Sequence, residues 1–409
     1  MIVQDYTNEK FKGDTLFSIV LFILCPALAI VSTLIYIYKG RYNHLTILAM
    51  SIAMVTLFTP PFADIYRHTL LYFNYGNYAW AGIFQSNEHD FIFYSLTHLF
   101  AQYNIPFEFI SYLFVFTCYQ IAFFLFRQVI KSETAKEWGT NTRFVVFLCF
   151  LLMVPFIAIV NGLRMATAAY IAVFGWYFIL NDKRILGILV YLLACGMHFG
   201  AMLFIPLMIF TILPKININR VAFVIGVVIL LLLGNILLSL LPPEFIATME
   251  LEEQVTGYMT DSVERFDETM SANGLIAMFL ERTPLIVIGV LALFNKLHID
   301  YRSKSIIYFV IWLAFLYYPF TVLFQRYAFL AIPILVYLSF RNINQPTGIK
   351  FYTHKIIALS CVIMTLSYAY GYRETVKATK YYKMFYPSIY TIPTTDTREN
   401  FRDALVPKE

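Results

Sequence analysis

Apolar residues lie along the chain in long uncharged blocks, and short clusters of charge divide one block from the next. A bilayer core about 30 Å thick takes roughly 20 helical residues to cross, so each block predicts a spanning helix. Crossings are expected near 15–38, 45–63, 106–130, 143–160, 164–180, 221–241, 274–295, 304–323, 327–340 and 356–371. From Ile185 to Pro214 the chain has 30 residues without Asp, Glu, Lys or Arg. That stretch is either one long tilted helix or two short ones folded back near Gly196, Met197 and His198.

The basic loops favour the hairpin. With it, Lys39/Arg41, Arg127 to Arg143, Lys183/Arg184, Lys215/Arg220, Lys296 to Lys304 and Arg341 to Lys355 share one side, where 16 basic residues face four acids, Glu133, Glu137, Asp182 and Asp300. The rest of the chain carries 14 basic and 21 acidic residues, so the split is +12 against −7 and sums to the net +5. The positive-inside rule makes the basic side cytoplasmic, and one long helix would invert the last three basic loops. The expected fold is therefore an all-α, polytopic membrane protein of about 12 transmembrane helices with both termini extracytoplasmic. Half-helices shorter than the bilayer need cover from their neighbours.

Three outer segments follow: 64–105, 242–273 and a tail, 372–409. The first two belong to a transmembrane domain over 1–371. Phe91 to Tyr103 is apolar yet too short to span, and it carries Tyr94, Thr97, His98 and Gln102, so it predicts a helix lying along the interface. Segment 242–273 is rich in acid, with Arg265 its only basic residue, and predicts a solvated helical cap. Asp5, Glu9, Lys10, Lys12 and Asp14 precede the uncharged run Thr15 to Tyr38, which is no signal-peptide pattern, so no cleavage is expected.

Composition agrees with a membrane chain. Of 409 residues, 60% are hydrophobic and only 13% charged, too few to coat a soluble surface, and mean hydropathy is +0.68. Aromatic residues reach 18%, as suits rings that occupy both lipid and headgroup zones. Nothing points to a nucleic-acid partner. The five cysteines, Cys25, Cys118, Cys149, Cys195 and Cys361, lie in apolar stretches without a CxxC pair, so neither a disulfide framework nor a thiolate metal site is expected. No metal and no other cofactor is expected.

Charge near the outer membrane surface is costly, which makes such residues functional candidates. After Pro60-Pro61 come Asp64, Arg67 and His68, which share one helix face at spacings of three and four. Asp64 would serve as base or substrate ligand beside a cationic pair; the bland alternative is a surface cluster closing a span. Glu88-His89-Asp90 offers two acids around an imidazole, to orient hydroxyls or hold a divalent ion, though plain loop polarity gives the same pattern. Arg164 follows Asn161-Gly162-Leu163 at a helix start, where a guanidinium and free backbone amides suit a diphosphate; the alternative is an Arg snorkelling to headgroups. His198, in Gly-Met-His-Phe-Gly, is a candidate base or a hydrogen-bonded core histidine. Glu281-Arg282 interrupts the 274–295 block, either as an intramembrane pair or as part of a site, and Gln325-Arg326-Tyr327 divides the last long blocks. Arg67, Arg164, Arg282 and Arg326 thus gather on the side that the positive-inside rule leaves poor in cations, as an anionic ligand there would require.

The series Asn161-Gly-Leu-Arg164-Met-Ala-Thr-Ala-Ala, Asn181-Asp-Lys-Arg184 and Leu193-Ala-Cys-Gly-Met-His198-Phe-Gly-Ala-Met-Leu-Phe-Ile-Pro206 resembles the EpsG branch of Wzy-type polysaccharide polymerases. The Asp64 segment, Asp90-Phe-Ile-Phe-Tyr94 and Gln325-Arg326-Tyr327 are similar to that family's outer-face motifs, and the likeness covers most of 50–340. The resemblance implies an architecture like that of the multispanning lipid-dependent glycosyltransferases. It implies a glycosyltransferase of the bacterial inner membrane whose site faces the periplasm. There it would transfer a growing O-antigen, capsule or exopolysaccharide chain from undecaprenyl diphosphate to a hydroxyl of the incoming lipid-linked oligosaccharide. Membrane lipids and a chain-length regulator protein would be its partners. Arg67, His68, Arg164, Glu281, Arg282, Arg326 and Tyr327 would bind substrate. Asp64, Glu88, Asp90 and His198 are the candidate bases, with Asp64 first because the Pro60-Pro61 step fixes where its helix starts. An O-antigen ligase would use the same donor, and a flippase or transporter would line a path through the membrane instead.

Overall fold

The computed structural model describes residues 10–62, 64–75, 90–213, 216–239, 276–277, 279–297, 299–317, 321–341 and 350–405. Among them every regular element is helical. In order these are α1 Lys10–Leu24, α2 Pro26–Tyr38, α3 Leu45–Ala53, α4 Asp64–Tyr75, α5 Phe91–Gln102, α6 Glu108–Ile130, α7 Thr140–Leu152, α8 Phe156–Asn161 and α9 Leu163–Leu180. There follow α10 Arg184–Met197, α11 Ile205–Ile212, α12 Arg220–Ser239, α13 Thr283–Leu293, α14 Tyr301–Tyr317, α15 Thr321–Phe340, α16 Lys350–Gly371, α17 Arg373–Ala378 and α18 Thr397–Leu405. Among the described residues, Glu108–Ile130, Leu163–Leu180 and the α7–α8 pair over Thr140–Asn161 are long and apolar enough to cross a bilayer unaided, and shorter apolar stretches such as Pro26–Tyr38, Arg184–Met197 and Thr283–Leu293 have 10–17 residues. The expected acidic cap at 242–273 lies outside the described residues.

The first block departs from expectation. Cys25 is extended and Pro26 opens a new helix, since a ring without N–H fits best in a first turn. The chain then reverses. Asp14 pairs with Arg41, Thr15 accepts from Asn43 at 3.0 Å, and Ser18 bonds His44 at 3.0 Å, so both ends of the block meet. Residues 15–38 are a helical hairpin and not the single crossing expected. Residues 10–14 accordingly sit on the side of Lys39 and Arg41, which corrects the extracytoplasmic amino terminus that parity gave.

The uncharged 185–214 run also doubles back. His198 is extended and ends α10, and a 3-10 turn over Phe199–Phe204 leads into α11. Gly187 near the start of α10 and Thr211 near the end of α11 both meet the same turn of α9. A Cβ on Gly187 would lie 2.7 Å from the Gly175 carbonyl, and the Trp176 indole N–H donates to the Thr211 hydroxyl at 3.0 Å. Glycine on both helices is what lets α9 and α10 lie that close. Single-cysteine labels at Lys183 and Lys215 are therefore expected to report the same side of the membrane, and a label at Lys12 the side of Lys39; opposite labelling of either pair would refute the hairpin concerned.

The basic loops gather at one end of the bundle, where Arg341 donates to Asn181 at 3.1 Å and Arg127 donates to the Tyr42 carbonyl at 3.0 Å. α9 spans 18 residues, about 27 Å at 1.5 Å per residue, so Arg164 at its start lies at the other end. That end is roofed by α4, α5 and the chain after α16. The chain beyond 371 is packed down: Glu108, buried at the start of α6, accepts from Thr397 at 2.6 Å and Asn400 at 2.8 Å, and Ser388 donates to the Phe22 carbonyl at 2.5 Å.

Candidate active site

Asp90 has φ 60 and ψ 33, the left-handed region that Asp tolerates better than most residues, and it stands at the N-cap of α5. An Asp there usually accepts from its own helix's first amides. Here the side chain turns away. Its Oδ2 accepts from Arg164 Nη1 at 2.7 Å, and its Oδ1 accepts from His198 Nδ1 at 2.9 Å and from the Phe199 amide at 2.8 Å. Three segments far apart in sequence thus converge on one carboxylate, whose side chain is 3% exposed. Burial works to raise the Asp90 pKa, but the hydrogen bond and charge of His198, the charge of Arg164 and the Phe199 amide outweigh it and hold the carboxyl below its ordinary range.

A carboxylate can only accept, so the imidazole's Nδ1 carries the proton in this contact, and in the neutral ring Nε2 then keeps its lone pair. The small residues flanking His198 have separate work. Gly196 lets the Phe91 ring come within 2.7 Å of where a Cβ would be, which seats the start of α5 on the end of α10. At Gly200 a Cβ would lie 3.5 Å from Nε2 and 3.1 Å from the Met165 sulfur, so glycine keeps that nitrogen uncrowded.

Arg164 is the second residue of α9, as expected, and its Nη1 also donates to the Tyr94 hydroxyl at 2.9 Å. Its guanidinium carbon lies 5.5 Å from the Phe93 ring centre and 5.6 Å from that of Tyr94. Asp90, Phe93 and Tyr94 fall on one helix face at three- and four-residue spacing, which was the sequence signal available for this aromatic seat. His68, 3% exposed, meets the same rings, 4.8 Å from Phe93 and 6.4 Å from Tyr94. Arg67 projects outward from α4. The Asp64 side chain lies outside the described residues although its helix is described, and Glu88 and His89 lie outside them altogether.

Arg326, near the start of α15, is close enough for its charge to act on His198, as is that of Arg164. Two residues earlier, Phe324 carries Arg282 over its ring at 4.3 Å, a cation–π contact. Glu281 is buried beside Gly371, whose Cβ would lie 3.6 Å from Oε1, and it breaks the block just before α13. Tyr327, expected to contact substrate, is fully buried, gives its hydroxyl to the Val310 carbonyl at 3.0 Å and packs on Phe204. It fixes α15 against α14 and so sets the height of Arg326.

One buried carboxylate, already engaged by a guanidinium, makes a poor cation site, and among the described residues no group of three or more His, Cys, Asp or Glu is placed to hold a metal ion. Cations within reach of an imidazole suit an anion and a hydroxyl. An apolar helical bundle with such a cluster at one end is a multi-pass membrane protein. The model of the EpsG family matches residues 45–388, and the chain belongs to that family, which is associated with polysaccharide biosynthesis. No curated protein and no solved structure matches it.

Proposed function

We propose that the protein polymerises oligosaccharide repeat units carried on undecaprenyl diphosphate, at the periplasmic face of the bacterial inner membrane. The single observation that carries this is the Asp90–His198 pair, with Arg164 on the carboxylate and the charge of Arg326 reaching the imidazole. In the reaction the acceptor hydroxyl gives its proton to His198 Nε2 as its oxygen bonds the donor's anomeric carbon. The bond from that carbon to the diphosphate oxygen breaks, and the lipid diphosphate leaves with the electron pair. Arg326 and Arg282 take up the charge that grows on the leaving diphosphate, so they favour the transition state more than the ground state. Asp90 balances the imidazolium that forms, in the manner of an orienting carboxylate in a catalytic triad. Arg164 keeps Asp90 in place while adding positive potential.

Purified protein given lipid-linked repeat units is expected to make polymer, with free undecaprenyl diphosphate as the second product. Arg282→Ala and Arg326→Ala are each expected to bind donor at least tenfold more weakly, and Arg→Lys to recover part of the loss, because lysine keeps the charge but not the bidentate fork. Wild-type chain lengths in both alanine variants would refute the diphosphate site. In a deletion strain, single repeat units on the acceptor in place of long chains fit a polymerase. Complete absence of transfer would favour a ligase or a flippase.

A further inference from the structure

A cleft of about 760 Å³ opens beside α4 and α5, away from the Asp90 cluster. Its floor is the end of α4, with Tyr72 and Phe73, and the end of α5, with Gln102 and the following Asn104. Its far wall is the strap Pro393 to Arg398. The strap is held firmly. The Phe107 amide donates to the Thr397 hydroxyl at 3.0 Å, Asn400 donates to the Leu57 carbonyl at 3.2 Å, and Phe401 stacks on Tyr66 at 4.8 Å.

Size and lining both restrict the occupant. The volume falls within the roughly 300–1,000 Å³ usual for small-molecule sites. Tyr72 spends its hydroxyl on the Ile105 carbonyl at 2.9 Å, which leaves ring surface rather than a donor towards the cleft. Gln102, Asn104, Thr394, Asp396 and Arg398 are exposed around those rings and offer donors and acceptors of both kinds. Apolar ring faces among mixed polar groups match a sugar, which has C–H faces and a rim of hydroxyls. They match neither a lipid tail nor a bare phosphate.

Position adds a second reason. α5 has 12 residues, roughly 18 Å at 1.5 Å per residue, with Asp90 at its start and Gln102 at its end. A lipid-linked glycan with its diphosphate at the arginines would run along this helix. Moreover the family match ends at 388, before the strap begins. The wall therefore belongs to this chain beyond the matched stretch, where a property peculiar to its own substrate would be written.

We propose that this cleft is the glycan site, holding sugars of the repeat unit remote from the reacting bond, and that the strap sets which sugars fit. The proposal rests on the polymerase reading and refines it. Binding to sugars that do not react is how such an enzyme fixes the orientation of those that do.

The test uses full-length protein in detergent and two probes: the repeat-unit oligosaccharide freed by mild acid from the host cell's lipid-linked pool, and undecaprenyl diphosphate without sugar. Gln102→Trp fills the cleft and Arg398→Ala removes a donor from its wall; both side chains are exposed, so the fold is not at stake. The oligosaccharide is expected to bind at least tenfold more weakly to Gln102→Trp and several-fold more weakly to Arg398→Ala, with undecaprenyl diphosphate unaffected. Arg326→Ala should give the reverse pattern. Wild-type oligosaccharide affinity in both cleft variants, in a protein that still polymerises, overturns the cleft and spares the polymerase. Wild-type protein that binds neither probe and makes no polymer overturns both.

Discussion

His198→Ala is expected to abolish polymer formation while leaving binding of the lipid-linked donor within a few-fold of wild type. A positioned general base contributes about 10²- to 10⁴-fold to a rate, and the imidazole is the only member of the Asp90 cluster with an uncommitted basic nitrogen. Alanine also leaves Asp90 Oδ1 with the Phe199 amide as its remaining partner there, so stability has to be separated from chemistry. His198→Asn does this. Its side-chain amide can donate to Asp90 much as Nδ1 does but cannot take a proton, so it should restore melting temperature without restoring turnover. Polymerisation by His198→Asn at the wild-type rate would remove His198 as the base. Asp64→Asn, made beside it, should turn over with little loss; an Asp64→Asn protein that binds donor but does not react would return the role to Asp64.

Asp90→Asn is expected to cost both turnover and stability. The change leaves Arg164 partly buried against a neutral amide, and removing one partner of a buried pair typically costs about 3–5 kcal/mol. An amide can also turn its NH₂ towards Nδ1, which would shift the imidazole proton to Nε2 and silence the base; loss of the correct tautomer is worth up to about 10⁴-fold in a triad. The pH dependence has a definite sign. Asp90 has a folded pKa below its unfolded value of about 3.9, so its contribution is fully present above that value and is lost as pH falls through the lower folded one. Thermal unfolding in detergent should therefore show a gap between wild type and Asp90→Asn that does not shrink from pH 8 to about pH 5 and closes below about pH 4. A gap that closes between pH 8 and pH 6 would mean that a different group carries it.

The sequence by itself determined that this is a helical membrane chain, because uncharged blocks of span length have no other stable form in a bilayer. It also singled out Asp90, Arg164, His198, Arg282 and Arg326, which are conspicuous as polar residues in an apolar chain, and the structure brings the first three together. The interfacial helix at 91–102 was legible for the same reason, being apolar but too short to span. What the chain pattern could not supply was direction. Uniformly apolar helices show little amphipathic stripe, so nothing in the pattern says which face turns inward or where a run reverses. Pro26 opens a second helix in a block that reads as one, and the meeting of Asp14, Thr15 and Ser18 with Arg41, Asn43 and His44 reveals the return. Glycines at 175 and 187 bring α9 and α10 together, and that contact, with Trp176 on Thr211, decides the hairpin at His198. Once those turns are set, Asp90 meets Arg164 across 74 residues and His198 across 108. Helix-face spacing reaches three or four residues, and packing alone reaches that far.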